Sequence, residues 1–123
     1  MDTFFENIKK AACQYFPNSS IKYILRTDKS LKLNILIEED IFIAIRYNAR
    51  NGRKDFALVS QSNRIFGYDN LKTWHYHPVS NPQEHISCDE PTVDKVISDM
   101  KRILEDRRAF GGAEKSSNRL SKK

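Results

Sequence analysis

Leu31-Lys-Leu-Asn-Ile-Leu-Ile37 and, after Glu38-Glu-Asp40, Ile41-Phe-Ile-Ala-Ile-Arg-Tyr47 are the two runs whose reading decides the fold. Leu31, Leu33, Ile35 and Ile37 take every second position of the first, and Ile41, Ile43, Ile45 and Tyr47 every second position of the second. A period of two is that of strands burying one face against a core. The polar link between them is too short for a crossover, so the strands are antiparallel neighbours.

The pattern extends both ways. Upstream, Ile21, Tyr23 and Leu25 alternate with Lys22 and Arg26 before the polar Asp28-Lys-Ser30. Downstream, Asn48-Ala-Arg-Asn-Gly52 holds an Asn-Gly pair, the dipeptide that tolerates positive φ best, and a fourth run follows from Lys54 to Ser60. Gln61-Ser-Asn63 then turns the chain into a short fifth run, Arg64 to Tyr68. Before the strands, Phe4, Phe5, Ile8, Ala11, Ala12, Tyr15 and Phe16 make one stripe at helical spacing. Thr3 and Glu6 have capping-box spacing, and Pro17 stops that helix. After residues 69–90, which show neither period, Pro91 opens a second helix whose apolar side is Val93, Val96, Ile97, Met100, Ile103 and Leu104. Gly111-Gly112 is expected to break it. The expected architecture is α+β: an N-terminal helix, a five-stranded antiparallel meander, a long histidine-rich loop and a C-terminal helix, with both helices on one face of the sheet. Residues 1–110 form the expected domain, and residues 111–123 a basic, disordered tail.

A chain of 123 residues with 39% apolar and 30% charged side chains suits one globular domain. It has no apolar run long enough to span a bilayer, and its first residues lack the features of a secretory signal, so no membrane and a cytoplasmic location are expected. Two cysteines are too few for a disulfide framework and fit a reducing compartment. Cys13 is read as a small buried hydrophobe on the first helix. The net charge of +5 resides in residues 107–123, where six basic residues face Glu114 alone. Within the neutral body, Arg46, Arg50, Arg53, Lys54 and Arg64 stand against the single acid Asp55, whereas the segment from Glu84 to Asp106 is acidic. If these segments lie on separate surfaces, the first offers a face for anions.

All three histidines, His75, His77 and His85, fall within eleven residues, in a stretch that also holds the only tryptophan, Trp74. His75 and His77 are two apart, and Pro78 biases His77 toward extended geometry, so the two imidazoles point the same way about 7 Å apart. Three accounts fit. In the first, RNA is cleaved without metal: His75 and His77 supply acid and base, with His85 and Asp69 nearby, and Arg46, Arg64 or Lys72 stabilises the charged phosphorane. Tyr68, Tyr76 and Trp74 then hydrogen-bond or stack on bases. In the second, His75, His77, His85 and Cys88 bind zinc, although the spacing H-x-H-x7-H-x2-C matches no established structural zinc pattern. In the third, Asp69 and Asn70 fix a turn, Trp74 covers the sheet and the histidines are structural, and the chain is a non-catalytic module that binds protein or nucleic acid through its sheet or basic tail. Glycine-rich phosphate loops, the G-x-S-x-G elbow and the H-E-x-x-H helix are absent from the sequence.

The segment from Leu31 to Leu104 resembles the TumE-type toxins of prokaryotic toxin–antitoxin pairs. The likeness is carried by the alternating strands, Ile65-Phe-Gly-Tyr-Asp-Asn70, Trp74-His-Tyr-His-Pro78, Glu84-His85, and Pro91-Thr92 leading into a closing helix. In that family an aromatic-Asp-Asn strand end is followed by a histidine-rich loop and a short helix. The resemblance implies a small cytoplasmic protein that binds a cognate antitoxin and acts on RNA or another component of translation.

Overall fold

The computed structural model describes residues 2–117. Its elements are α1 (Asp2–Tyr15), β1 (Ser20–Arg26), β2 (Ser30–Glu38), β3 (Ile41–Asn48), β4 (Arg53–Ser60), β5 (Asn63–Asp69), β6 (His75–His77), β7 (Ile86–Ser87) and α2 (Val93–Ser117). The strands pair in chain order, every neighbour antiparallel, as a meander. The sheet has seven strands, where the sequence pattern shows five. β6 and β7 were missed because three residues and two residues are too short to display a period.

Residues that pair across a sheet share a face, so the register sorts the side chains. Leu33, Ile45, Phe56, Tyr68 and Tyr76 pair in one continuous row on the covered face. With Leu31, Ile35, Ile43, Leu58 and Phe66 most of this row is buried in a single core, against Phe5, Ile8, Ala11 and Ala12 of α1 and Val93, Val96, Ile97, Met100 and Leu104 of α2. Both helices thus cover the same face, as the strand alternation requires. The opposite face carries two other rows: Lys32, Arg46, Asp55, Asp69, His75 and Ser87, and beside it Asn34, Ala44, Ala57, Gly67 and His77.

Local chemistry explains the boundaries. The turn into β4 ends at Gly52, whose φ of +74° is the left-handed conformation that the Asn-Gly pair supplies, while Asn48 Oδ1 accepts the Arg50 N–H at 2.9 Å. The second helix starts two residues later than Pro91: Thr92 is its N-cap, accepting the Lys95 N–H on Oγ1 at 3.0 Å, and the first helical bond runs from the Val96 N–H to the Thr92 carbonyl. α1 already includes Thr3, so that residue is not a cap. Cys13 is exposed, against the expectation that it is buried, because it lies off the stripe formed by Phe5, Ile8 and Ala12. α2 continues to Ser117, past the break expected at Gly111-Gly112. A glycine costs a helix only about 1 kcal/mol relative to alanine and does not forbid it. Residues 118–123 of the expected tail lie outside the described residues.

Candidate active site on the uncovered sheet face

β5 ends at Asp69, and β6 returns beside it with His75 directly opposite. Asn70 ties this corner to the neighbouring turn: its Oδ1 accepts the Lys54 N–H at 2.8 Å and its Nδ2 donates to the Gly52 carbonyl at 2.9 Å. The segment after His77 is a hairpin, not an irregular loop. Asn81 accepts from the Glu84 N–H on its carbonyl and from the Gln83 N–H on its side chain, and the chain re-enters the sheet as β7, pairing Tyr76 with Ile86 and His75 with Ser87. That pairing sets His85, the residue before β7, beside the other two imidazoles.

The result is a cluster of three rings. His75 and His85 stack in parallel with centroids 4.6 Å apart, His77 meets His85 edge-on at 4.5 Å, and His75 and His77 are 4.9 Å apart. His75 and His77 are buried, at 7% and 3% exposure, while His85 is open to solvent. One carboxylate organises the buried pair: Asp69 Oδ1 lies 3.2 Å from His75 Nε2, and Oδ2 lies 3.0 Å from His77 Nε2. Oδ1 also accepts the Leu71 N–H at 3.0 Å. Burial raises the Asp69 pKa, but the Leu71 N–H, the bond to His77 and the adjacent imidazoles outweigh it and hold the carboxyl below the usual range. On their far sides, His75 Nδ1 faces the Thr73 carbonyl at 2.9 Å and His77 Nδ1 faces the Pro82 carbonyl at 3.1 Å.

Cations line the sheet leading to the cluster. A trough of about 410 Å³ runs over Asn34, Ala44 and Ala57, with Lys32, Arg46, Arg53 and Arg64 along it. Its floor is shallow because the paired row consists of an asparagine, two alanines and Gly67. A Cβ at Gly67 would lie 2.8 Å from the Phe56 carbonyl oxygen and 3.4 Å from Arg64 Cδ. Glycine there lets the Arg64 side chain cross the sheet, where its Nη2 donates to the Pro82 carbonyl at 3.2 Å and approaches His77 Nδ1 at 3.4 Å. Asp55 is the acid among the residues that line the trough. Burial raises its pKa; Arg53, 3.3 Å away, opposes the rise, and the carboxylate of Asp69 on the next strand adds to it. Arg53 Nε is buried without a hydrogen-bond partner in the structure.

The basic and acidic segments of the chain therefore lie largely on separate surfaces. Arg46, Arg53 and Arg64 line the uncovered face, and the helix carrying Asp94, Asp99 and Glu105 packs on the other. Lys54 is the exception: it sits on the helix side, 3.5 Å from Glu90 and over the Phe4 and Tyr47 rings.

The structure brings Asp69, His75, His77, His85 and Arg64 together, with Arg46 along the same face. It does not bring Tyr68 to them. Tyr68 lies in the core row on the opposite side and donates to Asp99 Oδ2 at 2.8 Å. Burial, then the bond to Asp99, raises its pKa far above the usual phenol range. Tyr76 and Cys88 line a cavity with it on the helix side, so Cys88 is not a ligand partner of the histidines. Trp74 packs against the core and lines a cavity with Phe4, Phe56 and Pro91, also on that side. Lys72 is exposed in the β5–β6 turn, with φ of +71°. The sequence reading missed Lys32 and Asn34, and it counted Arg53 and Asp55 only as charge. Alternation puts Lys32 and Asp55 on the uncovered side, but only the strand register shows that they lead to the histidines. Comparison with family models, with curated proteins and with solved structures found no match to this chain.

Proposed function

We propose that this protein is a toxin-like ribonuclease, part of a toxin–antitoxin pair, whose chemistry resides in the histidine cluster on the uncovered face of the sheet. The observation that carries the proposal is the contact of three imidazoles, one of them exposed, at the end of a trough lined by guanidinium groups. A polyanion is drawn to such a surface by counterion release, and the exposed ring stands where a strand in the trough would pass.

Cleavage of an RNA phosphodiester needs no group that the chain lacks. A ring nitrogen takes the 2′-hydroxyl proton, the 2′-oxygen bonds to phosphorus, and the bond to the 5′-oxygen breaks as that oxygen receives the proton from the imidazolium so formed. The products are a 2′,3′-cyclic phosphate and a 5′-hydroxyl. His85, the accessible ring, is the proton acceptor. His75 beneath it and His77 beside it, their nitrogens facing Asp69 and two backbone carbonyls, position that ring, and Arg64 stabilises the phosphorane charge. The role as a toxin, with a cognate antitoxin as partner, rests on the resemblance of Ile65–Asn70, Trp74–Pro78 and Glu84-His85 to the TumE-type family.

His85→Ala changes one exposed ring and leaves the core intact. Its cleavage of single-stranded RNA is expected to fall about 10²–10⁴-fold, the usual contribution of a proton-transferring side chain, with an unchanged circular dichroism spectrum. A His85→Ala protein that cleaves at the wild-type rate would remove His85 from the mechanism. One that binds RNA while the wild-type protein also fails to cleave it would make the face a binding surface only.

A further inference from the structure

The hydrogen-bond accounting at the cluster does not close with a neutral His75 ring. A carbonyl oxygen only accepts, so His75 Nδ1, 2.9 Å from the Thr73 carbonyl, carries a hydrogen. The Nε2 of a neutral ring then directs its lone pair at Asp69 Oδ1, 3.2 Å away, which also only accepts. His77 differs, because its Nδ1 can accept from Arg64 Nη2 at 3.4 Å while its Nε2 donates to Asp69 Oδ2 at 3.0 Å. A divalent cation held by the histidine nitrogens and the carboxylate accounts for the His75 lone pair as well.

We infer that His75, His77, His85 and Asp69 form a binding site for a divalent transition metal, zinc foremost, on the uncovered face of the sheet. The ligand atoms of the three histidines lie within 4.8 Å of one another. Ligands 2.0–2.2 Å from a tetrahedral zinc are separated from each other by roughly 3.3–3.5 Å. The contacts of Asp69 with the two Nε2 atoms, at 3.0 and 3.2 Å, are within a few tenths of an ångström of that edge. Metal-binding histidines are commonly held by a carbonyl on the nitrogen away from the metal, and the Thr73 and Pro82 carbonyls stand in that place. Arg64 approaches His77 on its Nδ1 side, opposite the nitrogen that faces Asp69. Three imidazoles and one carboxylate suit zinc, with cobalt, nickel and copper as competitors. Asp69 takes the place that the spacing of the sequence suggests for Cys88, which lies on the other side of the sheet.

The site stands on geometry alone; its consequence rests on the ribonuclease reading. Metal bound to these nitrogens leaves them unable to carry protons, so the metal-loaded protein is the silent form and the metal-free protein the active one. The test is a calorimetric titration of chelator-stripped full-length protein with zinc chloride, followed by RNA cleavage with chelator and with one equivalent of zinc. One zinc per chain is expected at micromolar affinity or tighter, weakened at least about tenfold in His85→Ala and in Asp69→Asn and unchanged in Cys88→Ala. Absence of binding, binding indifferent to His85→Ala, or loss in Cys88→Ala overturns the site. Cleavage that requires zinc overturns the silent form and leaves the site standing. Stoichiometric zinc binding without cleavage in either condition counts against the ribonuclease reading and supports the site.

Discussion

Tyr68 and Asp69 are adjacent in the chain and belong to different parts of the molecule. In a strand the side chains alternate, so the carboxylate of Asp69 joins the histidines while the Tyr68 hydroxyl reaches through the core side to Asp99. Lys95 and Arg102, each 3.0 Å from Asp99, pair with its buried carboxylate from the solvent side. Nearness in sequence drew Tyr68 into the candidate site; the same period of two that revealed the strand places it outside. Tyr68→Phe is therefore expected to lose about 1.5–3 kcal/mol of stability, the worth of a hydrogen bond to a charged acceptor, while RNA cleavage and zinc affinity stay at wild-type levels. Chemical denaturation measures the first and the functional assays the second. A stable Tyr68→Phe protein without activity would return the phenol to the site. Cys88 was drawn in by the same nearness, and its side chain also lies among the core-facing residues.

The elements that display a period long enough to count were legible: the apolar stripe of α1, the alternation of β2 to β5, and the run from Val93 to Leu104; in β1 the alternation holds only to Tyr23, after which a bulge sets Leu25 opposite Lys32 on the uncovered face. What was not legible is the pairing of β6 and β7, which depends on backbone hydrogen bonds and on the Pro78–Asn81 turn more than on any hydrophobic pattern. That pairing is the step that converts three histidines near in sequence into three rings in contact. The β4–β5 hairpin shows a different balance. Its two-residue turn holds Gln61 at φ +51° and Ser62 at φ +68°, a conformation that asparagine and glycine adopt with less cost. Replacing Gln61-Ser62 with Asn-Gly is expected to stabilise the protein by about 0.5–2 kcal/mol without altering the site, since the turn is at the opposite end of β5 from Asp69. A thermal melt decides it, and a lowered midpoint would show that Gln61 or Ser62 makes a contribution beyond the turn.

At the scale of the whole molecule, the two faces of the sheet divide the work. One is buried under α1 and α2 and holds the fold together; the other is left free, floored by small side chains and lined by Lys32, Arg46, Arg53 and Arg64 up to the imidazoles. The charge pattern of the sequence pointed to an anion-binding face if the basic and acidic segments separate, and the meander separates them. No helix among the described residues is long and apolar enough to cross a membrane. The chemistry proposed for the uncovered face has a fixed outcome, because a mechanism that uses the 2′-hydroxyl as nucleophile determines both product ends. The direct measurement is the analysis of the ends formed when metal-free protein is incubated with a single-stranded RNA oligonucleotide, beside the same oligonucleotide carrying 2′-deoxy sugars. The expected result is a 2′,3′-cyclic phosphate and a 5′-hydroxyl from the RNA and no cleavage of the deoxy strand. A 5′-phosphate product, or cleavage of the deoxy strand at a comparable rate, would contradict the imidazole mechanism.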